Sequence, residues 1–199
     1  MKYFKLILLG IICLTITGCF PKAAKYVIKK QYLLNIPTLS TRHNTQPTRA
    51  LQVSSVTIAA PFNQNYFLYR INSTQYLVDY YNSFLALPAR QMDSALANYL
   101  KIIGHFYPVA PGEAAPRLQV DITELYADYR NRNYPKAVVT LHFTVTTFND
   151  NNTAIVFDKT LHSAIPLEAK DTTSLLAAWS KGLQIDLTAG VRSLTRIKF

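Results

Sequence analysis

The residue whose setting promises the most definite chemistry is Cys19. It closes the stretch Ile16-Thr17-Gly18-Cys19, at the end of an apolar run from Leu6 to Ile16 that follows Lys2 and Lys5. A basic start, an apolar stretch of this length and small residues at its end are the parts of a cleavable export signal. A cysteine directly after those small residues adds a thiol that can be diacylated before the bond preceding it is cut. Other chemistry is hard to assemble. No nucleophile-elbow glycine-serine pattern, zinc-protease helix motif, phosphate-binding loop or dinucleotide-binding glycine pattern occurs. The four histidines, His43, His105, His142 and His162, fall in different segments. His142 and His162 sit on strands that could pair, but a metal site there lacks a third ligand. Asp121 and Glu124 are three apart, which in a regular strand puts them on opposite faces. These residues point away from an enzyme and predict neither a metal nor a bound cofactor.

The composition narrows the class. The chain has 199 residues, 21 basic against 11 acidic, with 49% hydrophobic and 12% aromatic residues. That is too apolar for a disordered chain. Two cysteines exclude a disulfide scaffold, and beyond the leader no apolar run could span a bilayer. The expected organisation is a signal peptide over 1–18, a lipidated tether over 19–25 and a single domain over 26–199. Cleavage removes Lys2, Lys5 and Cys13, so Cys19 is the one mature cysteine, and acylation disposes of a thiol that an oxidising compartment would attack. The tetrapeptide resembles the bacterial lipobox. In that setting Phe20, rather than an Asp, implies sorting to the periplasmic face of the outer membrane. Several acyl chains make such attachment effectively permanent. Lys22, Lys25, Lys29 and Lys30 would lie nearest the headgroups. Without a basic block, the positive charge does not argue for nucleic acid.

The elements that must carry any site follow from periodicity. Tyr26 to Ile36 and Leu51 to Ala60 read as strands, the second changing phase at Ser54-Ser55. Tyr66 to Ile71 and Gln75 to Tyr81 flank Asn72-Ser73-Thr74 and read as a hairpin. Pro88 to Ile103 predicts a helix with Met92, Ala95, Leu96, Tyr99 and Ile103 on one face, stopped by Gly104. Tyr107 to Pro116 reads as a loop. Arg117 to Tyr126 and Ala137 to Phe148 alternate cleanly, with Val139, Leu141, Phe143 and Val145 inward. Ala154 to Ser163 returns with Ile155, Phe157 and Leu161 on one face. Thr172 to Ile197 predicts a long helix carrying Leu176, Trp179, Leu183, Leu187, Gly190 and Leu194 in a stripe, capped by Asp171 or Thr172. Two amphipathic helices need a sheet to cover, so the expected fold is an α/β layered sandwich with a mixed, largely antiparallel sheet. Trp179 is expected in its core.

The segment Tyr66 to Leu87 is aromatic on both strand faces. One face can line the core; the other is either an ordinary set of exposed rings or a contact surface. Tyrosine, phenylalanine and arginine are what protein interfaces concentrate. The candidate partner interface is therefore Tyr66, Tyr69, Arg70, Tyr76, Tyr81 and Phe84.

The succession of short motifs is also familiar. Cys19, Tyr32-Leu33-Leu34, Leu51-Gln52-Val53, Val56-Thr57-Ile58, Leu68-Tyr69-Arg70, Gln75-Tyr76, Leu87-Pro88, Leu118-Gln119-Val120 with Glu124, and Ala178-Trp179 together resemble the ABC-type transport auxiliary lipoproteins, which include PqiC-like outer-membrane lipoproteins of MCE systems. Phe84 departs from the pattern, standing where a Trp is expected. The resemblance implies a non-catalytic component of an intermembrane lipid transport system. Its partners would be an MCE-domain protein crossing the periplasm and, through the acyl chains on Cys19, outer-membrane lipid. Homo-oligomerisation stands beside these as a further reading. The alternative is an envelope-assembly or ligand-binding lipoprotein unrelated to transport.

Overall fold

The computed structural model describes residues 27–40, 47–149 and 152–197. Cys19, the export signal, the tether and Tyr26 lie outside the described residues, as does His43. Nine strands form one sheet: β1 (Lys30–Tyr32), β2 (Arg49–Val53), β3 (Thr57–Ile58), β4 (Tyr66–Arg70), β5 (Tyr76–Phe84), β6 (Phe106–Val109), β7 (Arg117–Asp128), β8 (Lys136–Asn149) and β9 (Asn152–Pro166). Two helices, α1 (Pro88–Ile102) and α2 (Thr172–Thr195), cover one face. This is the expected mixed α/β sandwich. The long ladders are antiparallel: β7 with β8, β8 with β9, and β4 with β5.

The long strand β7 organises the sheet. One edge pairs with β8 along its length, from Arg117 opposite Thr146 to Asp128 opposite Lys136. The other edge takes β2, β3 and β4 in turn, all parallel. At its far ends the sheet extends through β6 beside β2 and through β5 and β1 beside β4.

The core lies between this sheet and the helices. Val139, Leu141, Phe143 and Val145 of β8 point into it and are fully buried, as the alternation predicts. Trp179 is fully buried too. Its ring meets Phe67 edge-on at 5.2 Å and Phe84 at 5.5 Å, and its indole N–H donates to the carbonyl of Tyr126 at 3.2 Å. Buried aromatic rings in such tilted arrangements contribute beyond their area. Gly190 allows the close approach of α2, since a Cβ there would overlap the Phe143 ring. Asp171 caps α2 by accepting the Ser174 N–H at 2.7 Å.

Several expectations need correction. The first strand shrinks to three residues, because Leu34 and Leu39 instead bond to Gln91 and Asn98 side chains of α1. The phase change near Ser54 is a break between two strands rather than a bulge in one. The supposed loop from Tyr107 holds β6; Pro108 is tolerated there because β6 is an edge strand, where a missing N–H costs no ladder bond. The residue in left-handed backbone after α1 is His105 (φ 53°), not Gly104, whose own constraint is the Phe106 ring against it. On α2 the buried residue is Leu175, and Leu176 is only half-buried. On β9 an irregularity opposite Val145 and Thr146 turns Ile155 out of the row of Phe157 and leaves it 64% exposed. A bulge between Ile122 and Glu124 does the same on β7. Asp121 and Glu124 consequently share a face, opposite His142 and Thr140.

Candidate functional site

The helix-free face of the sheet collects the exposed functional side chains. Strand alternation on β4 sends Phe67 and Tyr69 toward the helices and Tyr66, Leu68 and Arg70 the other way. Register places Tyr76 opposite Arg70 and Val78 opposite Leu68, so these join the same open face.

Arg70 is the centre of this patch. Its guanidinium donates to the carbonyls of Asn72 and Ser73 at 3.2 and 2.9 Å and to the Tyr126 hydroxyl at 3.2 Å. It lies 5.7 Å from the ring centroids of both Tyr76 and Tyr126, within cation–π range. Tyr76 meets Tyr126 edge-on at 5.5 Å, and Phe62 stacks on Tyr126 at 5.9 Å. Burial pushes the Tyr126 phenol up, against the pull of Arg70, so it stays neutral beside the cation. Among the described residues no carboxylate forms an ion pair with Arg70. The result is a fixed positive charge framed by rings. Such a feature holds a carboxylate or an acidic, aromatic-bearing segment of another molecule.

The six candidate residues divide. Tyr66, 45% exposed, and Tyr76, 37% exposed, stand with Arg70 on the open face. Tyr69 points to the helix side, where it donates to Asp79 at 2.6 Å and packs edge-on against Tyr129. Burial, then the Asp79 carboxylate, holds its phenol far above the usual range. Tyr81 lies in a bulge of β5 between the pairings of Val78 and Ser83. Phe84 is 2% exposed and packs on Phe67 and Trp179, so it is a core residue and no surface contact. Phe62 and Tyr126 were absent from the sequence-derived set. Tyr126 was concealed because the β7 bulge reverses its face, and Phe62 because it sits in a short 3-10 turn, Ala60–Phe62, with no strand phase to read.

Beside this patch the same face carries a polar row. His142 Nε2 lies 3.0 Å from Asp158, and His162 Nδ1 lies 3.5 Å from Glu124. The Thr140 hydroxyl donates to Glu124 at 2.5 Å and lies 2.8 Å from His162 Nδ1. Asp121 accepts from Thr57 and Gln119. Each histidine thus has its own carboxylate, and no group of three potential metal ligands occurs among the described residues. On the helix side an apolar recess of about 590 Å³ is lined by Val53, Leu100, Phe106 and Lys101. No described helix is long and apolar enough to cross a membrane.

Comparison with known proteins agrees with this architecture. Residues 32–186 match the model of a family described as the ABC-type transport auxiliary lipoprotein component. The fold is similar to that of a Xanthomonas campestris protein of the DUF330 family, with a TM-score of 0.66 at 18% identity over 80% of this chain and 92% of that one. A second crystal structure, of an uncharacterized protein, aligns with a TM-score of 0.64 at 15% identity, covering 84% of this chain and 99% of that one. No curated protein matches the sequence.

Proposed function

The chain belongs to the ABC-type transport auxiliary lipoprotein family, and we propose that it serves an MCE-type lipid transport system as a non-catalytic outer-membrane component. In this reading Cys19 carries the acyl chains at the periplasmic face of the outer membrane, and the folded domain docks the periplasm-spanning MCE-domain partner. The observation that carries the docking role is the ring-framed Arg70 on the open sheet face, with exposed Tyr66 and Tyr76 beside it. Clusters of this kind concentrate binding energy in a few side chains. The domain needs no nucleotide pocket of its own, since the ATPase of such a system is a separate chain.

Two experiments test the reading. Replacing Tyr66 and Tyr76 with Ala should reduce MCE-protein recovery from crosslinked envelopes at least about tenfold, because two interface rings are lost. The melting temperature should stay within a few degrees, roughly, because both rings are partly solvated. Undiminished capture by a normally folded variant rejects this patch as the docking surface. Separately, Cys19→Ser should accumulate unprocessed precursor; maturation at residue 19 with normal outer-membrane fractionation would reject the anchor.

A further inference from the structure

The surface where the chain enters the domain has a composition distinct from the Arg70 patch. Ile28 is 68% exposed, Val27 41%, Tyr80 59% and Tyr81 56%. Lys29 Nζ sits 4.4 Å over the Tyr80 ring, and Tyr80 and Tyr81 meet edge-on at 5.4 Å. The two tyrosines are held out by construction. Asp79 Oδ1 accepts the N–H groups of both Tyr81 and Asn82, at 2.7 and 3.0 Å, which fixes the bulge that projects them. Ile28 and Tyr81 share a recess with Thr172 and Thr173 at the start of α2. That recess belongs to the helix side, whereas Arg70 and Tyr76 lie on the open face.

We propose that Ile28, Lys29, Tyr80 and Tyr81 form a lipid-facing contact that lays the domain on the phospholipid headgroups beside its own anchor. The inference rests on the acylation of Cys19. Three observations support it. Cys19 and Val27 are eight residues apart in sequence, a reach of at most about 28 Å, so the first surface able to meet the bilayer is the one around residue 27. Tyrosine, lysine and an aliphatic side chain are the types that settle at a membrane–water boundary, with rings at headgroup depth and ammonium groups on lipid phosphates. The nearby carboxylates are already engaged: Asp79 by Tyr69, Asn82 and backbone N–H groups, and Asp171 by Ser174. Those neutral donors leave both carboxylates charged, so Lys29 and Lys30 balance them and meet anionic headgroups through their own ammonium groups.

The test uses the acylated mature protein in phosphatidylethanolamine–phosphatidylglycerol vesicles containing brominated phospholipid. Trp179 is fully buried, so the unsubstituted protein should show no quenching, and its emission reports the fold in every variant. A Tyr80→Trp reporter should lose about half or more of its added emission if the ring reaches the lipid boundary. An Ile155→Trp reporter, near the start of β9, should lose none. Adding Ile28→Asp to the Tyr80→Trp protein should restore its emission while the protein still floats with the vesicles. Flotation without quenching of Tyr80→Trp, or equal quenching of both reporters, overturns the contact and leaves the anchor intact. Failure to float at all overturns the anchor itself, and the contact with it.

Discussion

Two hairpins of this sheet, β4–β5 and β8–β9, handle a nearby carboxylate in opposite ways. In β4–β5, Asp79 accepts from the Tyr69 hydroxyl, the Asn82 amide and the N–H groups of Tyr81 and Asn82. Burial opposes its charge, but those donors outweigh it and hold the carboxyl below its usual range. Under β8–β9, Asp186 of α2 accepts only the Ser163 hydroxyl at 2.6 Å, and its second oxygen has no partner. Burial pushes this carboxyl up to about 6, against the smaller pulls of Ser163 and His162. The lesson is that an irregular hairpin has spare N–H groups to offer a charge, and a regular ladder has none. The bulge of β5 exposes donors that Asp79 collects; around Ser163, where β8 pairs with β9 without a break from Lys136 to Val145, the donors are used internally.

Variants can break or sharpen that contrast. The largest effect is expected from Trp179→Ala, which empties the space between Phe67 and Phe84 beneath the irregular hairpin. It should cost roughly 3–5 kcal/mol in denaturant unfolding. A loss well under that range would mean that β4–β5 does not depend on the core beneath it.

Next is Asp186→Asn. Because folding raises the carboxyl above its unfolded value, the native state holds the proton more tightly. Its stabilising share is complete below about pH 4 and is lost as pH rises through about 6, approaching roughly 3 kcal/mol. The amide variant should flatten that part of the stability–pH profile and be the more stable protein at neutral pH. A parallel profile would show that Asp186 is solvated. Asp79→Ala should cost about 1–3 kcal/mol, since it leaves the bulge donors and the Tyr69 hydroxyl unpaired. The Asp79 share has the opposite sign: present above the unfolded carboxyl value and lost as acid titrates the folded group. The smallest change belongs to the exposed row of the β8–β9 hairpin. Asp158→Asn, which breaks the pair with His142, should shift stability by about 1 kcal/mol or less; a larger shift would make that polar row structural.

The same contrast explains what was legible in the sequence. β8 was readable because each inward residue from Val139 to Val145 is apolar and each outward one is not, and α2 because its stripe repeats at helical spacing. The aromatic hairpin was visible as an excess of rings, but not the destination of each ring. Phe84 and Tyr81 differ by three residues, yet one packs on Trp179 and the other stands in solvent. That outcome depends on a bulge, and a bulge leaves no mark in residue types. The same reason hid the shared face of Asp121 and Glu124 and the turn of Tyr126 toward Arg70. β6 was missed because an edge position removes the usual objection to Pro108.

The central place of β7 has a consequence in time. Its pairings with β8 close a short connection, whereas Gln52, Thr57 and Tyr69 meet it at Arg117, Asp121 and Ala127, far along the chain. Distant pairings form slowly because a long loop must close first. In the proposed export across a membrane, the N-terminal half of the domain emerges first and delivers β2, β3 and the ring-rich β4–β5 before the strand that will hold them. Until β7 arrives, those edges are open to any other strand, and the rings to any other surface. Folding of the leading half must therefore wait for the trailing half, and pulse-labelled exchange should find the amides of β7 and β8 protected before those of β2 and β3.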